Sequence, residues 1–168
     1  MFSNLLSKFT RKEIRTVVLL ALTAGAIAWL PGRLDVVVSD SLAYRIFFLC
    51  GAPAKIETGD YIVFRYDYDY KLVEKGLTGT TRFTKEVGCA PGDVLTVDAN
   101  SWFSCNGKPL GQALKTDSHE DTLPLFVFNG VIPPDNYFTI GSNPRSFDSK
   151  YFGFIKKNEI LYKAYPIW

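Results

Sequence analysis

The stretch Arg82-Phe83-Thr84-Lys85-Glu86-Val87 decides the fold class. Its strict alternation puts Phe83, Lys85 and Val87 on one face of a strand, with Arg82, Thr84 and Glu86 on the other. The apolar face therefore carries a lysine. Such a side chain either snorkels to solvent or stays buried and loses its proton.

Outward from this run the same signal repeats. Apolar or alternating segments lie at 34–38, 61–64, 82–87, 94–97, 125–128, 137–140 and 160–165. Turn chemistry separates them: Thr58-Gly59-Asp60, Ala90-Pro91-Gly92-Asp93, Asn106-Gly107, Asn129-Gly130 and Pro133-Pro134-Asp135. The pattern predicts a mainly β domain, one coiled or barrel-like sheet rather than a βαβ array. Two polar stretches, 67–80 and 107–122, read as excursions from the sheet, the second as the mobile one.

The chain of 168 residues is 47% apolar, enough for a substantial core. A formal charge of +2 with no long basic stripe past the N-terminus argues against nucleic acid as a partner. Cys50, Cys89 and Cys105 form an odd set without a CxxC pair, so no zinc site is expected, and nothing calls for a cofactor. Oligomeric state is not legible.

Residues 1–33 differ from the rest. Lys8, Arg11, Lys12 and Arg15 precede an uncharged run from 16 to 30, which Pro31, Gly32 and Arg33 close. Fifteen helical residues span about 22 Å, short of a hydrocarbon core of about 30 Å. Snorkelling of Arg15 and Arg33, with Trp29 at the interface, lets a thinned bilayer be crossed. The charge asymmetry then leaves the N-terminus in the cytoplasm and 34–168 outside, anchored by one transmembrane helix. Two other readings stand beside it: a cleaved signal peptide, since Ala24-Gly25-Ala26 and Ala26-Ile27-Ala28 fit a small-x-small site, and a buried core helix.

The chemistry follows from what the chain can offer. Its one histidine, His119, sits among Glu120 and Asp121 in a polar stretch and reads as a solvated loop residue. A serine hydroxyl is a weak nucleophile unless a base takes its proton. The apolar run ending in Ser39-Asp40-Ser41-Leu42 supplies the serine, and Lys85 supplies the base if its pKa falls from about 10.4 toward 7. A Ser41–Lys85 dyad is the most economical hydrolase reading. Asp148 should pair away from Lys85, with Lys150 or Arg145 nearby, because a carboxylate against the amine opposes the base function.

Together these segments resemble the type I signal peptidase superfamily of Ser–Lys proteases. Ser39-Asp40-Ser41-Leu42 stands where that family has Ser-x-Ser and an apolar residue. Gly59-Asp60-Tyr61-Ile62-Val63-Phe64 looks like its Gly-Asp strand. Lys85 followed by Pro91-Gly92-Asp93 is similar to its lysine strand. Gly141-Ser142-Asn143 with Ser146-Phe147-Asp148-Ser149-Lys150-Tyr151-Phe152-Gly153 looks like its last box. The match runs collinearly from about 36 to 168. The small size, the last string and the Ala164-Tyr165-Pro166-Ile167-Trp168 ending resemble most the TraF-like peptidases of conjugative transfer.

The resemblance implies Ser41 as nucleophile and Lys85 as base. It implies Ser39 as oxyanion donor beside the Ser41 N–H, Ser146 as the residue orienting Lys85, and Asp148 as organiser of the loop. It also implies a membrane-delivered protein substrate, a prepilin, cleaved and in some members cyclised. Glu86 and Lys150 stand where the family often has arginine, so a planar bidentate partner for Asp148 is lost. A Cys89–Cys105 disulfide is open at this stage, with Cys50 left over. Two rival readings remain: a non-enzymatic β-rich subunit of an envelope secretion or pilus apparatus, and the self-cleaving repressor branch of the superfamily. The membrane segment and the lack of a helix-turn-helix weigh against the second.

Overall fold

A computed structural model of the protein describes residues 10–51, 55–67 and 80–168. The chain divides into two units, Met1–Leu34 and Asp35–Trp168.

The first unit is helix α1 (Arg11–Trp29) and a single 3₁₀ turn, Pro31–Arg33. A capping box starts α1: the Thr10 hydroxyl accepts from the Glu13 N–H at 3.3 Å, and the Thr10 N–H donates to the Glu13 carboxylate at 2.7 Å. Among the described residues no helix is long and apolar enough to cross a membrane. The transmembrane helix expected from the sequence is therefore not found. Lys12, Glu13 and Arg15 lie inside the helix, and the uncharged part, 16–29, covers only about 21 Å.

The second unit holds two sheets. Its strands are β1 (Leu34–Val36, whose first residue belongs to the other unit), β2 (Ile46–Cys50), β3 (Tyr61–Asp67), β4 (Thr80–Cys89), β5 (Val94–Val97), β6 (Trp102–Cys105), β7 (Lys108–Gln112), β8 (Gly130–Val131), β9 (Asn136–Ile140), β10 (Ile155–Lys156) and β11 (Ile160–Pro166), with a one-turn helix α2 (Ser149–Phe152). A seven-stranded sheet runs β1-β2-β11-β3-β4-β9-β10, and a four-stranded sheet runs β7-β6-β5-β8. This is the mainly β domain expected, but in two sheets rather than the one coiled or barrel-like sheet read from the sequence, because β5 to β8 pair among themselves.

The alternation in β4 is met by two apolar clusters, one on each face of the large sheet. Ile62, Phe64 and Val87 pack with Ile56, Tyr137, Ile155 and Ile160 on the face that carries Lys85. Leu42, Phe47, Leu49, Val63 and Ala164 pack on the opposite face. A third cluster around Leu95, Phe103, Ile132 and Phe138 joins the two sheets, and the Cys89–Cys105 disulfide ties the end of β4 to β6 within it. Asp93 binds three turns together, accepting from Thr58 Oγ1 at 2.7 Å, the Ala90 N–H at 2.9 Å and Asn106 Nδ2 at 2.8 Å. Gly92 has φ +89, which a residue with a Cβ rarely adopts.

One pairing matters for the site. β3 pairs with β4 from Asp67↔Thr80 to Tyr61↔Glu86, whereas β9 pairs only from Glu86↔Ile140 onward. Residues 82–85 thus have a strand on one side only, among the described residues.

Three further expectations, about single segments, need correction. The run 125–128 forms no strand. Its rings pack edge-to-face instead, Phe126 and Phe128 each lying 5.0 Å from Phe154, and the Phe126 N–H donates to the Lys150 carbonyl at 3.0 Å. The stretch 107–122 is no simple loop, since its first part is β7, paired with β6. Val37 and Val38 lie beyond the end of β1. The polar stretch 68–79 lies outside the described residues.

Candidate active site

Ser41 sits on a turn held from both sides. The Arg45 guanidinium donates to the carbonyls of Val38 and Ser39, each at 3.2 Å, and pairs with Asp40 at 2.5 Å. The Val37 N–H donates to the Arg45 carbonyl at 2.8 Å, and Leu42, 4% exposed, fixes the turn to the core. The Ser41 hydroxyl is 2.5 Å from that of Ser39. The Ser39 oxygen expected to stabilise an oxyanion thus engages the Ser41 hydroxyl itself. Sequence reading missed Arg45, although an Asp and an Arg flanking a serine turn is a usable signal.

Lys85 enters from β4 and is 3% exposed. Its amine donates to Ser146 Oγ at 2.7 Å and stands 5.8 Å from the centre of the Phe83 ring. Burial lowers its pKa from 10.5 to about 8; the Asp148 charge opposes the shift and the Lys150 charge adds to it.

The segment 141–150 connects serine and lysine. The Asn143 N–H donates to the Ser41 carbonyl at 3.4 Å, the Ser146 N–H to the Asn143 carbonyl at 2.9 Å, and Ser146 Oγ receives the Lys85 amine. Asp148, fully buried, caps α2 through the Lys150 N–H at 3.1 Å, accepts the Gly141 N–H at 3.0 Å and pairs with the Lys150 amine at 2.6 Å. Of the two partners foreseen for Asp148, Lys150 takes the role; Arg145 stays exposed. Gly141 is required by close approach, because a Cβ there would overlap the Ser146 hydroxyl and the Ser41 carbonyl oxygen.

A groove of about 600 Å³ brings the pieces together, lined by residues 35–41, 82–85, Asn143 and 145–147. Ser39, Ser41, Lys85 and Ser146 all line it; Asp148 lies behind. His119 does not line it and holds an exposed turn through Asp117. An ordered hydroxyl, a desolvated amine and an open strand edge beside them suit acyl transfer on an extended peptide. Cys89, Asp93 and Cys105 cluster closely enough to suggest metal ligands, but both thiols are consumed in the disulfide.

Among known families, the model described as "Signal peptidase, peptidase S26" matches residues 14–168. No curated protein matches the chain.

Proposed function

This chain belongs to the signal peptidase, peptidase S26, family, and on that premise we propose that it cleaves its substrates with Ser41 as nucleophile and Lys85 as general base. Membership carries serine protease activity on proteins that bear signal sequences. The observation that carries the finer reading is the Lys85 amine: 3% exposed, held by Ser146, and with its pKa brought down to about 8. A lysine serving no chemistry gains nothing from such burial, which argues against a purely structural subunit.

In the proposed cycle Ser41 Oγ attacks the scissile carbonyl while the neutral Lys85 amine takes its proton. The ammonium then protonates the departing amine, leaving an ester on Ser41. Water, deprotonated by Lys85, releases the acyl group; an amine in its place joins two chain ends. As the hydroxyl of Ser41 is consumed, Ser39 Oγ is freed to donate to the developing oxyanion. A lost donor of that kind costs about 10²–10³ in rate. The free edge of 82–85 offers main-chain groups to an extended substrate.

The substrate proposed is a membrane-delivered precursor, a prepilin of a conjugative system, on the strength of the Ser146–Gly153 string. The location proposed is the inner membrane, with the N-terminus in the cytoplasm and Asp35–Trp168 outside. The charge asymmetry around 16–30 supports this, as does the disulfide, a bond of oxidising compartments. Mass spectrometry of the pilin from cells carrying Ser41→Ala tests the substrate. Unprocessed precursor is expected, and an unchanged pilin mass removes that substrate.

A further inference from the structure

The groove carries two exposed arginines, Arg82 and Arg145, and neither forms an ion pair among the described residues. Of the groove's two carboxylates, Asp40 pairs with Arg45, while Asp35 accepts from Thr84 Oγ1 at 2.5 Å and keeps its charge. Arg82 also stands directly opposite Arg65 in the β3–β4 register, and Arg65 is likewise exposed. Like charges at directly opposed positions destabilise a sheet, so this arrangement costs stability unless an anion occupies it.

The spacing along the site is fixed. Arg82 lies three residues before Lys85 on β4, about 10 Å along the strand. Arg145 immediately precedes Ser146, which holds the Lys85 amine, so it marks the reacting end.

Resting on the peptidase reading above, we propose that Arg82 and Arg145 are specificity-determining residues that select substrates carrying carboxylate side chains, one about three residues from the scissile bond and one close to it. An extended peptide laid on the open edge of β4 brings a side chain past Arg82 at that separation. The guanidinium groups then act as steering and register-setting charges rather than as catalysts, since neither touches the reacting atoms.

The experiment uses full-length protein and fluorescein-labelled twelve-residue peptides with alanine before the scissile bond. The peptides differ only in carrying Asp, Asn or Lys at one position within four residues on either side. Cleavage by the wild type is expected to favour Asp over Asn by about threefold to fivefold at the two positions facing the arginines, and more against Lys. Arg82→Glu should reverse the Asp-over-Lys ratio at the distant position and Arg145→Glu at the near one, each read as a ratio of kcat/KM between peptides within the same variant. Raising the salt should weaken the preference.

A second arm measures binding of the same peptides to Ser41→Ala by fluorescence anisotropy. Charge selection in binding with no cleavage by the wild type upholds the arginine selection and overturns the peptidase reading. Cleavage with equal rates for Asp, Asn and Lys peptides, or a preference untouched by both charge reversals, overturns the arginine selection and leaves the peptidase reading standing.

Discussion

At the scale of single residues the site is a balance of three buried titratable groups, Lys85, Asp148 and Lys150. Lys85 is desolvated, the Asp148 charge favours its protonated form, and the charge of Lys150, which pairs with Asp148 at 2.6 Å, opposes that pull. Removing Lys150 therefore has a predictable sign. With Lys150→Met, Asp148 stands uncompensated, the Lys85 pKa rises, and the activity limb moves to higher pH. Loss of a partner from a buried pair also costs about 3–5 kcal/mol of stability. Lys150→Arg should restore both pH limb and stability. The check is kcat/KM against pH for the three proteins, beside their denaturant midpoints. A limb that stays in place in Lys150→Met means that the pair has no influence on Lys85. Lys85 itself was legible in the sequence because one cation interrupted an apolar alternation. Asp148 and Lys150 were legible as neighbours, but which of Lys150 and Arg145 closes the pair depends on a one-turn helix that four residues cannot announce.

At the scale of elements the site hangs on β4 and on the segment that follows β9. β4 was readable because one of its faces packs against apolar neighbours and alternation follows. β2 was harder to read, since all five residues of its IFFLC are apolar and show no period, although only Phe47 and Leu49 are buried. β7 escaped because its Lys108-Pro109-Leu110-Gly111-Gln112 has the composition of a loop and becomes a strand only by pairing with β6. The run 125–128 failed in the opposite direction: its apolar residues serve ring packing rather than a ladder. The segment after β9 depends on Gly141, where the chain passes against Ser41 and Ser146. Gly141→Ala should lower kcat by about a hundredfold or more while the fold survives, because the added methyl drives the two serine-bearing segments apart. Circular dichroism and turnover measured together check this; full activity in Gly141→Ala means that the approach is not needed.

At the scale of the whole molecule, the N-terminal unit and the disulfide bear on where the chemistry takes place. The reading of an extracytoplasmic domain predicts that externally added protease reaches Asp35–Trp168 in spheroplasts whose cytoplasm stays sealed. Alkylation before reduction should leave Cys89 and Cys105 unlabelled while Cys50 reacts on unfolding. A domain fully protected until lysis, with all three thiols labelled, contradicts that placement. The central claim is that a neutral Lys85 takes the proton of Ser41, and the rate as a function of pH tests it most directly. The amine loses its proton as pH rises, so the active fraction grows through the lysine's own pKa. Single-turnover cleavage of a precursor peptide from pH 6 to 11 should rise along a limb with its midpoint near about 8, and Lys85→Arg should be inactive throughout. A limb centred near the ordinary lysine value of 10.5, or turnover retained in Lys85→Arg, contradicts it.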